Sequence, residues 1–275
     1  MGAICGIIYK NGAAKEKDIT AMLNSMAGWN PDHTSYVLHE NAAFGSHILY
    51  SMTYSRLEKQ PWESNKKIWI YDARFDEGPH FEGNFTEAKS SSPNNQDKST
   101  DIEKNFKKEI LEYLESNIER DGLKGDFAIA EWNKERKKLT LVRDHLGTRP
   151  LYYTETDNFF AFASEMKALF VLPGVIKKVD ELWIADSIST VKSEKFRTPY
   201  QNIYRLLPAH KLYYQRGEIK LEKCWELESN PEWESLEETE AIRIFSKKLN
   251  RAIEKRTKHA LSIGSELSGG LDSSG

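Results

Sequence analysis

Phe127-Ala128-Ile129-Ala130-Glu131-Trp132, Leu139-Thr140-Leu141-Val142 and Phe159-Phe160-Ala161-Phe162-Ala163 are short apolar runs separated by turn residues. Runs of this length, rich in aromatic and β-branched side chains and partly alternating, read as strands. The pattern recurs at 42–50, at Ile68-Trp69-Ile70-Tyr71 and at 150–153, so sheet dominates the first two hundred residues. The chain opens on a strand carrying Ile4, Ile7 and Ile8, which ends at the turn pair Asn11-Gly12. Ile19, Met22, Leu23 and Met26 then fall at helical spacing. A further helix is marked by the capping box Thr100/Glu103 and by the apolar stripe Ile102, Phe106, Ile110, Tyr113, Leu114 and Ile118. The expected class is α+β, with helices layered on sheet.

Composition narrows the function. Hydrophobic residues make up 39% of 275 residues, enough for a sizeable core, and the length suggests one or two domains. A net charge of −3 leaves no basic footprint, so no nucleic-acid partner is expected. Cys5 and Cys224 are the two cysteines, no run approaches eighteen apolar residues, and the start lacks a basic segment followed by a long apolar one. A cytoplasmic, disulfide-free chain with no membrane partner is the expectation.

Two stretches read as connections. Residues 83–99, with Ser90-Ser91-Ser92-Pro93-Asn94-Asn95 at their centre, have little to bury and are expected to form a mobile loop. Residues 226–235 form an acidic linker containing Pro231, after which the capping box Ser235/Glu238 opens a helix with Ile242, Phe245, Leu249 and Ile253 on one face. The run 260–267 is expected to be a strand, followed by Ser268-Gly269-Gly270-Leu271-Asp272-Ser273-Ser274-Gly275. Small residues there can converge backbone N–H groups into an anion nest, to which a following helix would add its dipole. No Lys follows the glycines, so this is not the Gly-x-x-x-x-Gly-Lys phosphate loop.

Ser268-Gly269-Gly270-Leu271-Asp272-Ser273 resembles the loop of ATP pyrophosphatases. Together with the Ile4-Cys5-Gly6-Ile7 opening, the blocks Gly125-Asp126-Phe127-Ala128, Arg143-Asp144-His145-Leu146-Gly147-Thr148-Arg149-Pro150-Leu151-Tyr152-Tyr153 and Ala163-Ser164-Glu165-Met166-Lys167-Ala168-Leu169 are similar to the glutamine-dependent asparagine synthetases. The resemblance implies a four-layer α/β/β/α sandwich of the N-terminal-nucleophile type over 1–225, a linker over 226–235, and over 236–275 the first elements of a truncated α/β ATP-pyrophosphatase domain. The middle blocks also have a purely structural reading, with Gly147 and Pro150 shaping a turn and Tyr152, Tyr153 and Phe162 packing.

Glutaminases of this family need an N-terminal cysteine whose own amine acts as base. Laid on the family's opening, this chain has Gly2 in the nucleophile position, while Cys5 falls on a variable site. A competing register makes Cys5 the nucleophile after removal of 1–4, but it fits worse. The block usually reading Arg-Gly-Pro-Asp is Trp29-Asn30-Pro31-Asp32, and the glutamine-clamping Arg of the His-x-Arg-Leu block is Leu49, after His47. Arg56 offers a shifted clamp. An apolar side chain would leave the substrate carboxylate unpaired. The segment that supplies the oxyanion hole reads Asp72-Ala73-Arg74, and a carboxylate there would repel the developing oxyanion. His47, Leu49, Asp72 and Ala73 are therefore the expected remnants of a glutamine pocket, with no catalytic set intact.

The Asp72-Ala73-Arg74 segment and Glu266-Leu267 look more like the divergent branch that includes β-lactam synthetase and lasso-peptide cyclases. That resemblance implies an ATP-dependent amide-forming ligase, which adenylates a small-molecule or peptide carboxylate for attack by an amine. Leu267, Ser268, Gly269, Gly270, Leu271, Asp272, Ser273 and Ser274 would hold ATP, with Mg²⁺ on its phosphates and its ligands beyond Gly275. The residues given are expected to bind neither tightly alone. A homodimer is possible, and the alternatives are a working amidotransferase using Cys5 or a non-catalytic binding module.

Overall fold

The computed structural model describes residues 2–77, 96–118, 121–189 and 194–270. Among these, twelve strands form two antiparallel six-stranded sheets. The first contains β1 (Gly2–Tyr9), β2 (His33–His39), β3 (Ala42–Ile48), β8 (Tyr152–Glu155), β9 (Phe159–Ala163) and β10 (Tyr204–Arg205), in the order β10-β8-β9-β1-β3-β2. The second contains β4 (Trp62–Glu63), β5 (Lys67–Phe75), β6 (Gly125–Asn133), β7 (Lys138–Arg143), β11 (His210–Gln215) and β12 (Glu218–Lys223), in the order β12-β11-β7-β6-β5-β4. Helices α1 (Glu16–Met26) and α3 (Lys167–Phe170) cover the first sheet, and α2 (Gln96–Ile118) covers the second.

Side-chain alternation explains the layering. Along β1, Ile4 and Ile8 point into the core between the sheets, where they meet Phe44, Phe160 and Phe162 and, from the second sheet, Ile68, Ile70, Trp132, Leu139 and Leu141. Ala3, Cys5, Ile7 and Tyr9 point the other way, onto Ile19, Met22, Leu23 and Met26 of α1. Phe106, Ile110, Leu114 and Ile118 of α2 pack on Trp69, Tyr71, Phe127 and Ile129. Three apolar interfaces thus separate four layers, as the α/β/β/α expectation requires. At about 25 cal/mol per Å² of apolar surface, each fully buried Phe or Ile contributes on the order of 2 kcal/mol.

Several local readings need correction. Helix α2 starts at Gln96, so Thr100 lies inside it rather than capping it. Ser235 ends the short helix α5 (Pro231–Glu234), and its hydroxyl donates back to the Glu232 carbonyl. Asn230 caps α5, with Pro231 in the first helical position, where a missing N–H costs nothing. Helix α6 (Glu238–Thr257) starts three residues beyond Ser235, with Glu237 as its unbonded cap. The strand expected at 260–267 does not form: Ala260 makes one bridge to Met52, and the described residues after it hold no regular element. Strands β2, β11 and β12 and helix α4 (Glu181–Ser189) had no expectation. Most of the loop expected at 83–99 lies outside the described residues.

The C-terminal segment is better anchored than its composition suggests. Ile242, Phe245, Leu249 and Ile253 of α6 are exposed. The far end of α6 is nevertheless tied down. Arg256 donates through both terminal nitrogens to Asp126, Lys255 reaches Glu77 at 2.7 Å, and Arg74 donates to the Arg256 carbonyl at 3.2 Å. Lys255 and Lys124 together hold the Glu77 carboxyl down to about 2. Thr53 and Leu261 add backbone hydrogen bonds to His259 and Ser51. Arg256→Ala is expected to free this end, because the bidentate pair is the one contact with geometric specificity. Limited proteolysis should then cut residues 226–270 faster than in the parent, with the sandwich unaffected; an unchanged rate would show that the backbone contacts suffice.

Candidate functional site

The first residue of β1 brings both sheets together. Gly2 pairs with Ile48 of β3, and its amide donates 2.9 Å to Oδ1 of Asp72, which stands on β5 in the opposite sheet. A Cβ on Gly2 would lie 2.2 Å from the His47 carbonyl oxygen, so the strand passes where a side chain cannot. Asp72 is buried, and Nε of Arg149 stands 3.7 Å from its Oδ2. Burial pushes the Asp72 carboxyl up, and the Arg149 cation pulls it part of the way back.

Arg149 reaches this point because the turn between β7 and β8 is built around charge. Asp144 is buried, and its carboxylate accepts from the amides of Thr148 and Arg149 at 2.9 Å, Leu146 at 3.2 Å and Phe127 at 3.3 Å. Arg143 donates to the carbonyls of Arg149 at 2.7 Å, Gly147 at 2.6 Å and Leu206. Gly147 has φ of +70°, and a Cβ there would lie 2.7 Å from Pro208. The turn demands glycine on both counts.

Glu58 completes the cluster. It is buried facing the Tyr71 hydroxyl, and burial raises its carboxyl to about 8, with the Asp72 charge adding to the rise. The same burial, together with Glu58, pushes Tyr71 well above its ordinary range. Tyr71 is held by its own amide, which donates 2.5 Å to the Gln60 side chain.

Residues 1–225 match the family model described as the glutamine amidotransferase domain. The chain belongs to that family. It is 31% identical over 159 residues to asparagine synthetase [glutamine-hydrolyzing] 3 of Bacillus subtilis, covering 56% of this chain and 25% of the relative. It is 31% identical over 170 residues to the putative asparagine synthetase [glutamine-hydrolyzing] 1 of Methanocaldococcus jannaschii, covering 60% of this chain and 29% of the relative. The alignments thus span between a quarter and a third of these relatives. Among solved structures, glutamine phosphoribosylpyrophosphate amidotransferase from B. subtilis, complexed with ADP and GMP, matches 81% of this chain and 49% of its own at 13% identity and a TM-score of 0.45.

The remaining residues expected in the amidotransferase pocket scatter. Cys5 lies mid-strand between Gly45 and Ala163, fully buried under α1, and burial pushes its thiol far up. It faces away from Asp72, on the outer side of β1. His47 also turns outward: Nε2 donates to the Leu23 carbonyl at 2.8 Å, which leaves Nδ1 to accept from Thr34 at 2.7 Å. Burial lowers its basicity, so it is a neutral strut between β3 and α1 rather than a pocket residue. Leu49 is half-buried just past β3, and Ala73 is half-buried on the α2 side of β5. Arg56, the alternative clamp, is exposed with its guanidinium over the Tyr50 ring. Trp29 is exposed and its indole donates to Glu165.

Of the expected residues, the fold brings Gly2 and Asp72 together. Arg149, Glu58 and Tyr71 join them unexpectedly. Arg149 was visible in sequence only as part of a turn block, and nothing in the spacing around Glu58 marks it. In the segment expected to hold ATP, Leu267 and 268–270 are exposed, with Gly269 at φ of +79°, while Leu271, Asp272, Ser273 and Ser274 lie outside the described residues. Among the described residues no group of three or more His, Cys, Asp or Glu side chains is placed to hold a cation, so no step is routed through Mg²⁺.

Proposed function

We propose that this domain has lost glutamine hydrolysis and serves as the N-terminal domain of an ATP-dependent amide-forming ligase. The contact between the Gly2 amide and Asp72 carries the reading. A glutaminase needs a nucleophile on the first strand and N–H donors aimed at the developing oxyanion. Here the strand position is filled by a glycine with no room for a Cβ, and the facing group is a carboxylate that already accepts the Gly2 N–H. Asp72 paired to Arg149 closes the site on itself, and Leu49 presents no charge to a substrate carboxylate. Cys5 offers no rescue, because a thiol nucleophile must ionise and be reached, and this one is sealed under α1.

A domain that supplies no ammonia suits a ligase whose amine is already on its substrate. The resemblance of 268–274 to pyrophosphatase loops supports adenylation of a small-molecule or peptide carboxylate, with these residues holding the phosphates. When bound, ATP would supply the adenylyl group that activates the substrate carboxylate, with pyrophosphate as leaving group, and the positive φ of Gly269, with open space around it, suits a backbone that must approach a phosphate closely.

Incubation with glutamine or a chromogenic γ-glutamyl analogue is expected to release no ammonia or chromophore. Gly2→Cys should not restore activity, and it should lower stability by about 1–3 kcal/mol through the His47 clash. Turnover abolished by Cys5→Ala would overturn the reading in favour of a processed amidotransferase. The ligase half is tested separately in a chain extending beyond Gly275, where Asp272→Ala should abolish ATP–pyrophosphate exchange. Unchanged exchange would remove the nucleotide assignment and leave a binding module.

A further inference from the structure

We propose that the outer edge of β12 is a self-association surface, pairing antiparallel with the same strand of a second copy of this chain in a register centred on Leu221. The proposal is independent of the glutaminase reading. β12 ends its sheet and, among the described residues, pairs only with β11. The other sheet-end strands differ: β4 and β10 are two residues each, and β2 is met from outside by Gln60, whose carbonyl accepts from Ser35.

Hairpin geometry shows which groups the edge offers. The β11–β12 turn consists of Arg216 and Gly217, both at positive φ, 54° and 83°, as a two-residue type I′ turn requires. Gln215 and Glu218 then form the first hydrogen-bonded pair, and alternation turns the backbone groups of Glu218, Lys220 and Glu222 toward β11. Those of Ile219, Leu221 and Lys223 face outward. Three outward residues on a strand of continuous register form an open ladder, with neither a proline nor a bulge to blunt it.

The side chains select the occupant. The strand reads Glu218-Ile219-Lys220-Leu221-Glu222-Lys223, and its charges complement themselves. A two-fold axis through Leu221, perpendicular to the sheet, sets Leu221 against Leu221 of the second copy. Lys220 then faces Glu222 of the second copy, and Glu222 faces its Lys220. Opposite charges directly across a ladder attract and like charges repel. Centring on Lys220 instead would oppose Lys220 to itself and Glu218 to Glu222. Ile219 and Leu221 are 36% and 48% exposed on a shared face and would continue the apolar contact across the joint. An edge protected by lysines alone would repel its own copy; this one carries both signs in alternation.

Sedimentation velocity on the purified chain, from low micromolar to several hundred micromolar, should show a reversible monomer–dimer equilibrium. Lys220→Glu should weaken it by about tenfold, and Lys220→Glu combined with Glu222→Lys should restore it. Leu221→Pro removes an outward N–H without touching the β11 ladder and should abolish the dimer with an unchanged circular dichroism spectrum. If that variant misfolds, the charge-swap pair still decides. A monomer at every concentration overturns the proposal. So does a dimer that ignores the charge changes, or one lost instead with Phe245→Ser on α6.

Discussion

Arg143→Ala is expected to cost about 3–5 kcal/mol of stability, a loss large enough to leave much of the chain unfolded at physiological temperature. The guanidinium is buried, and it donates to three carbonyls in and beside the turn between β7 and β8. Removing it leaves those carbonyls unpaired, at about 1–3 kcal/mol for each that water cannot reach. Asp144 beside it keeps its four amide donors but loses the neighbouring positive charge. Arg143→Lys should recover little, because an ammonium lacks the planar fork that spans three acceptors at once. Urea denaturation with an unchanged slope and a much lower midpoint is the expected record. A loss below about 1 kcal/mol would mean that water satisfies the carbonyls and that the turn holds without its cation.

The second large effect is a dependence of stability on pH that runs opposite to the usual carboxylate pattern. The folded chain holds Glu58 at about 8, whereas in the unfolded chain it titrates at an ordinary carboxylate value. Between those values the folded state binds the extra proton. Stability is therefore full below the unfolded value, falls as pH rises through the window, and levels off above about 8. One proton corresponds to a slope of at most about 1.4 kcal/mol per pH unit. Asp72, also raised by burial, adds a contribution of the same sign. Glu58→Gln keeps the neutral shape and removes the titration, so the variant should match the parent near pH 4 and exceed it clearly at pH 8. Equal slopes in parent and variant would show that Glu58 is ionised in the fold, with a cation as partner.

The layered fold was legible because its signal is local. Apolar runs at 68–71, 127–132, 139–142 and 159–163 all became strands, and Ile19, Met22, Leu23 and Met26 all became the buried face of α1. β12 was missed although Glu218-Ile219-Lys220-Leu221-Glu222 alternates charged and apolar residues: every residue of Glu218–Lys223 is exposed, and pairing with β11 is what makes the stretch a strand. The run at 260–267 failed in the opposite sense. Its apolar residues matched a strand, but a strand needs a neighbour, and among the described residues it makes a single bridge, from Ala260 to Met52.

By itself the sequence determined the class of fold and placed a glycine at position 2 and a carboxylate at position 72, because these depend on residue identity and short-range pattern. Tertiary structure alone decided that Gly2 and Asp72 touch across seventy residues, and that Arg149 and Glu58 close around them. It likewise placed Cys5 and His47 on the far side of their strands, beneath α1. The physical reason is the two-residue period of a strand combined with the stacking of two sheets. A shift of one residue sends a side chain to the opposite layer, and which layer holds the site follows from how the sheets face each other, which no single stretch of sequence encodes.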